Sequence, residues 1–465
     1  MPNEQLSTLS LHATWAGPAV AAVVCVALIQ SGTPSPIAMT AAITIWTASW
    51  WVFEPVPIPV ASLLPIALLP LLGILTPTQV GAAYGSPLIL LLLGGFILSQ
   101  GMQRSGVHRR LALILLNTFG STSRALVFGF LLAAGLLSMW ISNTATALML
   151  LPIALAALEP VTDKRITVGV LLALAYGCSI GSLGTPIGTP PNLVFIDIYQ
   201  KTTGTEIGFT EFMRSGLPVV ALMLPIAGLI LVRGMPSIAI ELPEQQGQWR
   251  SGEKRTLALF AVTAFLWITR REPFGGWSQW LGLPTANDAS VALLAVVAMF
   301  LIPSGDRKGD RLLDWKTASN IPWGILLLFG SGICIAVAFK ETGLSALIGD
   351  AIASSISDWP LLLTLLVVCL IVTFLTELVS NTATTTLLMP ILAAAGVGAD
   401  IDPRILMLPA AMSASCAFML PVATGPNAVV FGSGRLRIVD MARKGVRLNL
   451  AGVVVITAVN YWWIN

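Results

Sequence analysis

Charge is what this 465-residue chain lacks most: Asp, Glu, Lys and Arg together make up only 10% of it. Soluble globular proteins carry roughly 25%. With 55% hydrophobic residues and apolar runs along most of its length, the chain reads as a polytopic membrane protein. A net charge of +3 gives no electrostatic basis for nucleic-acid binding. Histidine is nearly missing. His12 and His108 are the only two, and no HExxH pattern exists to serve an intramembrane metalloprotease. The five cysteines (Cys25, Cys178, Cys334, Cys369 and Cys416) all fall in apolar stretches. They read as small buried residues rather than disulfides or metal ligands. No cleavable leader stands out either. The first apolar run begins near Thr14, after a segment without Lys or Arg, and is expected to stay as a helix.

What is there is apolar sequence, laid out in blocks. Such blocks fall at 14–31, 36–53, 56–75, 86–103, 125–159, 166–198, 215–233, 254–269, 288–303, 321–339, 360–397, 403–432 and 446–464. A spanning helix needs about 20 residues, so most blocks fit one crossing. Several tryptophans near block ends (Trp50, Trp51, Trp277, Trp280, Trp462, Trp463) suit interfacial belts. Blocks 125–159 and 360–397 are too long for one span. Each carries a polar triplet near its middle, in "SNTATALMLLP" (142–152) and "SNTATTTLLMP" (380–390). Two crossings joined by a loop is one reading, but no charged loop separates the halves. A hairpin that enters and leaves on one side fits better, with its tip covered by protein or facing a wet cavity. With both blocks re-entrant and "QRSGVHRR" placed in the cytoplasm, 19 of the 25 Lys and Arg fall inside and 6 outside. The positive-inside rule supports that threading, which has about eleven crossings, the N-terminus inside and the C-terminus outside.

The triplet belongs to a longer repeat. "LLLLGGFILSQGMQRSG" (90–106) resembles "LLLFGSGICIAVAFKETG" (326–343). Pro152 matches Pro390, Arg165 matches Arg404, Cys178 matches Cys416, and "GTPPNLVF" (188–195) matches "TGPNAVVF" (424–431), all at nearly one offset. An odd number of crossings separates equivalent points, so the copies face opposite ways. Inverted repeats with interrupted helices at matching positions mark secondary transporters, whose site lies near the midplane.

Each repeat carries a second break inside an apolar helix, "SLGTPIGTPPN" (182–192) and "LPVATGPN" (420–427). Proline removes a donor and glycine permits unusual dihedrals, so the helix is expected to unwind there. The freed carbonyls need a partner where bulk water is absent, and a small cation is one candidate. Ser, Asn and Thr are good N-caps, so each triplet can start a half-helix. A helix start offers free N–H groups and partial positive charge to an anion. Two opposed tips suit an anion with two charged ends. Neither tip holds Lys or Arg, so a dicarboxylate would meet hydroxyls, amides and dipoles, with sodium ions supplying positive charge. The competing reading of the triplets is helix-packing glue. Glu377 is an intramembrane acid matched by Met139 in the first repeat. Structural hydrogen bonding and proton coupling are both open to it.

Paired SNT triplets, "GTPPN" and "ASCAFMLPVAT-PN" together resemble the divalent anion/sodium symporters, the INDY-like dicarboxylate, citrate and sulfate carriers. The resemblance covers nearly the whole chain. It implies an all-α homodimer with scaffold and transport domains, the latter moving as an elevator, and sodium-driven uptake of small dianions. Residues 1–85 would be N-terminal scaffold helices and 236–320 a linker with further scaffold helices. Residues 86–235 and 321–465 would be the two repeats, with hairpins 125–159 and 360–397 and broken helices 166–198 and 403–432. Carried over by position, one sodium site would use Ser138, Ser142, Asn143 and the backbone at Gly188. The other would use Thr376, Ser380, Asn381 and the backbone of Ala423. Substrate would meet Asn143, Thr144 and Thr189 from one half, and Ser380, Asn381, Thr382, Thr424 and Gly425 from the other. No catalytic residue or organic cofactor is implied.

Two positions bear on the choice of substrate and coupling. The family's second break commonly reads "ATPPN"; here Gly425 replaces the first proline, which puts size preference in question. Exchangers of the family often carry a basic residue after the first "SNTA", where this chain has Thr146, which favours symport. A C4-dicarboxylate such as succinate, malate or fumarate is the leading expectation. Sulfate, citrate or dicarboxylate exchange are alternatives within the family. An anion channel would need a continuous pore with charged or hydrophobic rings. An intramembrane enzyme would need a nucleophile with a base, or a metal cluster, and neither is visible.

Overall fold

The computed structural model describes residues 8–464 apart from 121, 241–246, 272–273, 306–308 and 357–358. Arg307 and Lys308, counted above on the cytoplasmic side, lie outside the described residues. Among the described residues every regular element is a helix.

The chain opens with a helical hairpin, α1 (Thr8–Gln30) and α2 (Ser35–Phe53). The proline-rich block that follows breaks into α3 (Ile58–Ala61), α4 (Leu63–Leu71) and α5 (Pro77–Tyr84). Trp51 Nε1 donates to Ser62 Oγ at 3.0 Å and ties this block back to α2. α6 (Pro87–Ser105) is capped by Ser86 and stopped by Gly106 at φ 77°, where only glycine is comfortable. α7 (Val107–Thr118) is amphipathic and leaves at once in a new direction.

The first SNT block is not one helix. α8 (Ser123–Ser138) and α9 (Asn143–Ala157) meet at a break over 139–142. α10 (Lys164–Gly181) is buried from Ile166 onward. It packs so closely on α8 that a Cβ on Gly181 would overlap the backbone of Gly135. Small residues of this kind let helices approach in membranes. A short 3₁₀ turn over Ser182–Gly184 follows, then α11 (Pro190–Thr203) and α12 (Phe209–Val232). The middle segment supplies α13 (Ser251–Ile268), α14 (Gly276–Trp280), α15 (Asp288–Leu301) and α16 (Trp315–Ala318).

The same order then recurs. α17 (Trp323–Thr342) ends at Gly343, φ 83°, as α6 ends at Gly106. α18 (Leu344–Ile356) departs as α7 does. α19 (Leu361–Leu375) and α20 (Asn381–Gly398) flank the second SNT break. α21 (Arg404–Ala414), an unwound stretch, α22 (Gly425–Phe431) and α23 (Ile438–Ile464) complete the chain.

Among the described residues six helical stretches are long and apolar enough to cross a membrane: Ala13–Gln30, Ser35–Phe53, Pro77–Ser105, Lys164–Gly184, Phe209–Val232 and Trp323–Thr342. The protein is therefore an integral membrane protein. Three other expected crossings, 56–75, 288–303 and 403–432, fall on the shorter apolar helices Ile58–Leu71, Asp288–Leu301 and Arg404–Ala414. The two blocks expected as hairpins are divided at their polar triplets into Ser123–Ser138 with Asn143–Ala157, and Leu361–Leu375 with Asn381–Gly398.

Candidate substrate and cation site

The four breaks meet at one place. A cavity of about 220 Å³ is lined by Ser142, Asn143 and Thr144 at the start of α9 and by Ser380, Asn381 and Thr382 at the start of α20. Gly188, Thr189 and Pro190 line it from the α11 side, and Ala423, Thr424 and Gly425 from the α22 side. Eleven of the site residues expected from sequence line this cavity, and Pro190, quoted only within "GTPPN", lines it as well. Ser138 and Thr376 do not line the cavity; they sit fully buried behind it.

Three helices of 14 to 18 residues, α9, α11 and α20, begin at this cavity. The hydroxyls of their N-cap residues Ser142, Thr189 and Ser380 make no capping bond. Free hydroxyls and free N–H groups are thus aimed at one small space. None of its lining residues is Asp, Glu, Lys, Arg or His. A volume below the roughly 300–1,000 Å³ of drug-sized sites suits a small anion.

Behind each triplet lies a cluster of oxygens. Ser138 Oγ is 2.5 Å from Asn143 Oδ1 and 2.7 Å from the Cys178 carbonyl oxygen. In the second half Thr376 Oγ1 is 2.7 Å from Asn381 Oδ1 and 2.8 Å from the Ala414 carbonyl oxygen. A hydroxyl has one proton and can donate to only one of two such acceptors. Three converging oxygens with one proton between them fit a small hard cation, which oxygen ligands prefer. Carbonyls of Cys178 and Ala414 were not foreseen, since every residue has a carbonyl and nothing in sequence marks these two.

In both halves an asparagine holds the break open. Asn192 Nδ2 donates to Ser182 O at 2.9 Å and Thr185 O at 2.8 Å. Asn427 Nδ2 does the same to Ala417 O at 3.1 Å and Leu420 O at 3.0 Å. Here the halves diverge. The first break keeps a 3₁₀ turn at Ser182–Gly184. The second has no helical turn over 416–418, so its N–H groups need another acceptor. Glu377 supplies it: Phe418 N and Met419 N donate to its Oε1 at 2.7 and 2.9 Å, and Leu420 N to its Oε2 at 3.1 Å. Asn449 Nδ2 adds a fourth bond at 2.8 Å. Met139, at the matching position, instead fills apolar space against Gly184. The absence of a matching acid is explained by the absence of orphaned donors.

The breaks add Trp140, Ile187, Leu193 and Pro426, and the rest of the wall comes from Leu92, Gly95, Phe96 and Ser99 of α6, Ile325 of α17, and Pro322 before it. These residues were missed as site residues. The signal was present in "LLLLGGFILSQG" and its repeat, but it is apolar and carries no chemistry.

A family model for citrate transporters matches residues 48–407. The chain belongs to this transporter family. It is 39% identical over 445 residues to the sodium-dependent dicarboxylate transporter SdcS of Staphylococcus saprophyticus, covering 90% of this chain and 85% of the relative. The SdcS protein of Staphylococcus aureus strain USA300 is 38% identical over 444 residues, with the same coverage. This member of the citrate transporter family also shares its fold with more distant carriers. The crystal structure of the Alcanivorax borkumensis YdaH transporter aligns with TM-score 0.59 at 14% identity, covering 85% of this chain and 88% of that one. Neisseria gonorrhoeae MtrF aligns with TM-score 0.58 at 13% identity, covering 92% and 95%. The protein is thus a carrier, not an enzyme.

Proposed function

We propose that the protein is a sodium-coupled symporter of C4-dicarboxylates such as succinate, malate or fumarate. The observation that carries this reading is the single uncharged cavity onto which α9, α11 and α20 open, with an oxygen cluster behind each triplet. A dianion held there finds helix starts at both ends but no full positive charge. Two sodium ions supply it. One is held by Ser138, Ser142, Asn143 and backbone at Gly188 and Cys178. The other is held by Thr376, Ser380, Asn381 and backbone at Ala423 and Ala414. Asn143 and Asn381 belong to both a cation cluster and the cavity wall, so ion and anion each favour the other's binding. The 39% identical relative is named a sodium-dependent dicarboxylate transporter, which agrees with this reading.

The two hairpins and two broken helices form an inverted repeat that moves as one body against α6 and α17. The wall those helices present is largely apolar, which suits sliding. The protein works as a homodimer in a bacterial cytoplasmic membrane, with the N-terminus inside and the C-terminus outside.

Purified protein in proteoliposomes is expected to accumulate labelled succinate only under an inward sodium gradient. Equal uptake with potassium or choline in place of sodium would discard the coupling. Competition by unlabelled sulfate and citrate, and counterflow without sodium, separates the symporter from its relatives in specificity and from an exchanger.

A further inference from the structure

A second cavity, of about 930 Å³, lies along the same two helices as the first. α6 contributes Ser99 to the substrate cavity, and its cap Gly106 lines the second. α9 contributes Asn143 and Thr144 to the first, and Met149, Pro152 and Ile153 to the second. Seven residues of helix are about 10 Å, so the second cavity lies directly below the first. It sits at the end of α6 where "QRSGVHRR" marks the cytoplasm.

Its charges are unbalanced. Arg109, Arg110 and Arg250 line it, against Glu253 as the one acid. Most of these are engaged. Arg110 is buried and donates to Glu253 Oε2 at 3.0 Å and to the Gly247 and Gln248 carbonyls, both at 3.0 Å. Arg250 donates to the Ser105 carbonyl at 2.5 Å and lies 3.6 Å from Glu253. His108 is buried with Nδ1 on the Met102 carbonyl; burial, with Arg109 nearby, pushes its pKa down, so it adds no charge at neutral pH. Arg109 differs: it is exposed, and its guanidinium makes no hydrogen bond or ion pair with any described residue. A guanidinium cannot shed its charge.

We propose that this cavity is the cytoplasmic vestibule of the substrate path and that Arg109 sets the apparent affinity for dicarboxylate arriving from the cytoplasm. The inference rests on the symport reading above. A fixed charge at a cavity mouth concentrates an oppositely charged solute locally. For a dianion about 10 Å away in a water-filled mouth the effect is roughly three- to fivefold at low ionic strength and falls below about twofold near 0.1 M salt.

The test uses right-side-out membrane vesicles carrying the full chain, preloaded with graded succinate. Two numbers are measured: the outer KM for sodium-driven uptake without internal succinate, and the internal succinate that halves uptake. In low-ionic-strength internal buffer Arg109→Gln is expected to raise the ratio of the second to the first about three- to fivefold. Arg109→Lys is expected to restore it, and internal salt is expected to raise it in the wild type more than in Arg109→Gln. An unchanged ratio overturns the assignment, as does an effect of Arg109→Gln that appears only when acidic phospholipid is abundant, which would make the cavity a lipid site. Wild-type vesicles that take up succinate without sodium would instead overturn the symport reading, and this inference with it.

Discussion

Gly425 lies against Thr144. A Cβ built on Gly425 would overlap Thr144 Oγ1 and stand only 3.1 Å from Thr144 Cβ. The glycine that replaces the commoner proline is therefore not a looser wall. It makes room for a threonine that reaches across from the other half of the cavity.

Gly425→Ala is expected to push Thr144 out of its present position and to weaken dicarboxylate uptake about tenfold, the effect of about 1.4 kcal/mol of lost binding. Thr144→Ala in the same chain removes the clashing Oγ1 and is expected to recover part of the loss. Gly425→Pro is expected to alter the order in which succinate, citrate and sulfate compete. Identical competition profiles for Gly425→Pro and the parent chain would remove this contact from the specificity argument.

The oxygen clusters are checked by heat. A cation that binds only the folded protein adds about 2.7 kcal/mol at a hundred times its Kd, so sodium is expected to raise the Tm of the parent chain. Asn143→Ala and Asn381→Ala each withdraw one ligand and one wall group. Both variants are expected to fold, to show a reduced sodium-dependent rise in Tm, and to lose transport. Full sodium dependence of Tm in both would falsify the ligand assignment.

Glu377 is expected to act as a structural acceptor. Its two oxygens hold Phe418, Met419, Leu420 and Asn449. Glu377→Gln turns one acceptor into a donor facing donors, at a cost of about 2–4 kcal/mol. A lower Tm with unchanged dependence of the residual transport on external pH is the expected outcome. Wild-type melting together with lost proton sensitivity would assign the residue to proton coupling instead.

Much of the candidate site was legible in the sequence. Two SNT triplets and two Pro/Gly breaks are local devices. N-cap residues and helix breakers act on their own turn of backbone, so their positions follow from sequence alone. The repeat offset placed them in pairs. What resisted reading was apolar or backbone. Leu92, Phe96 and Pro322 wall the cavity, yet in sequence they look like any other greasy residue. The block 56–75, expected as one crossing, is divided at Ser62 into Ile58–Ala61 and Leu63–Leu71, a break that its scattered prolines do not locate in sequence.

By itself the sequence determined that the chain is a membrane protein, that its polar motifs recur at one offset, and which polar residues interrupt its helices. Those properties rest on composition, spacing and short-range backbone preference. Tertiary structure alone decided which carbonyls join Ser138 and Thr376, that Glu377 answers three orphaned N–H groups, and that Gly425 yields space to Thr144. Each is a contact between segments at least 38 residues apart, from Thr376 with Ala414 to Thr144 with Gly425. Such contacts depend on how close packed helices can approach, which no local preference encodes.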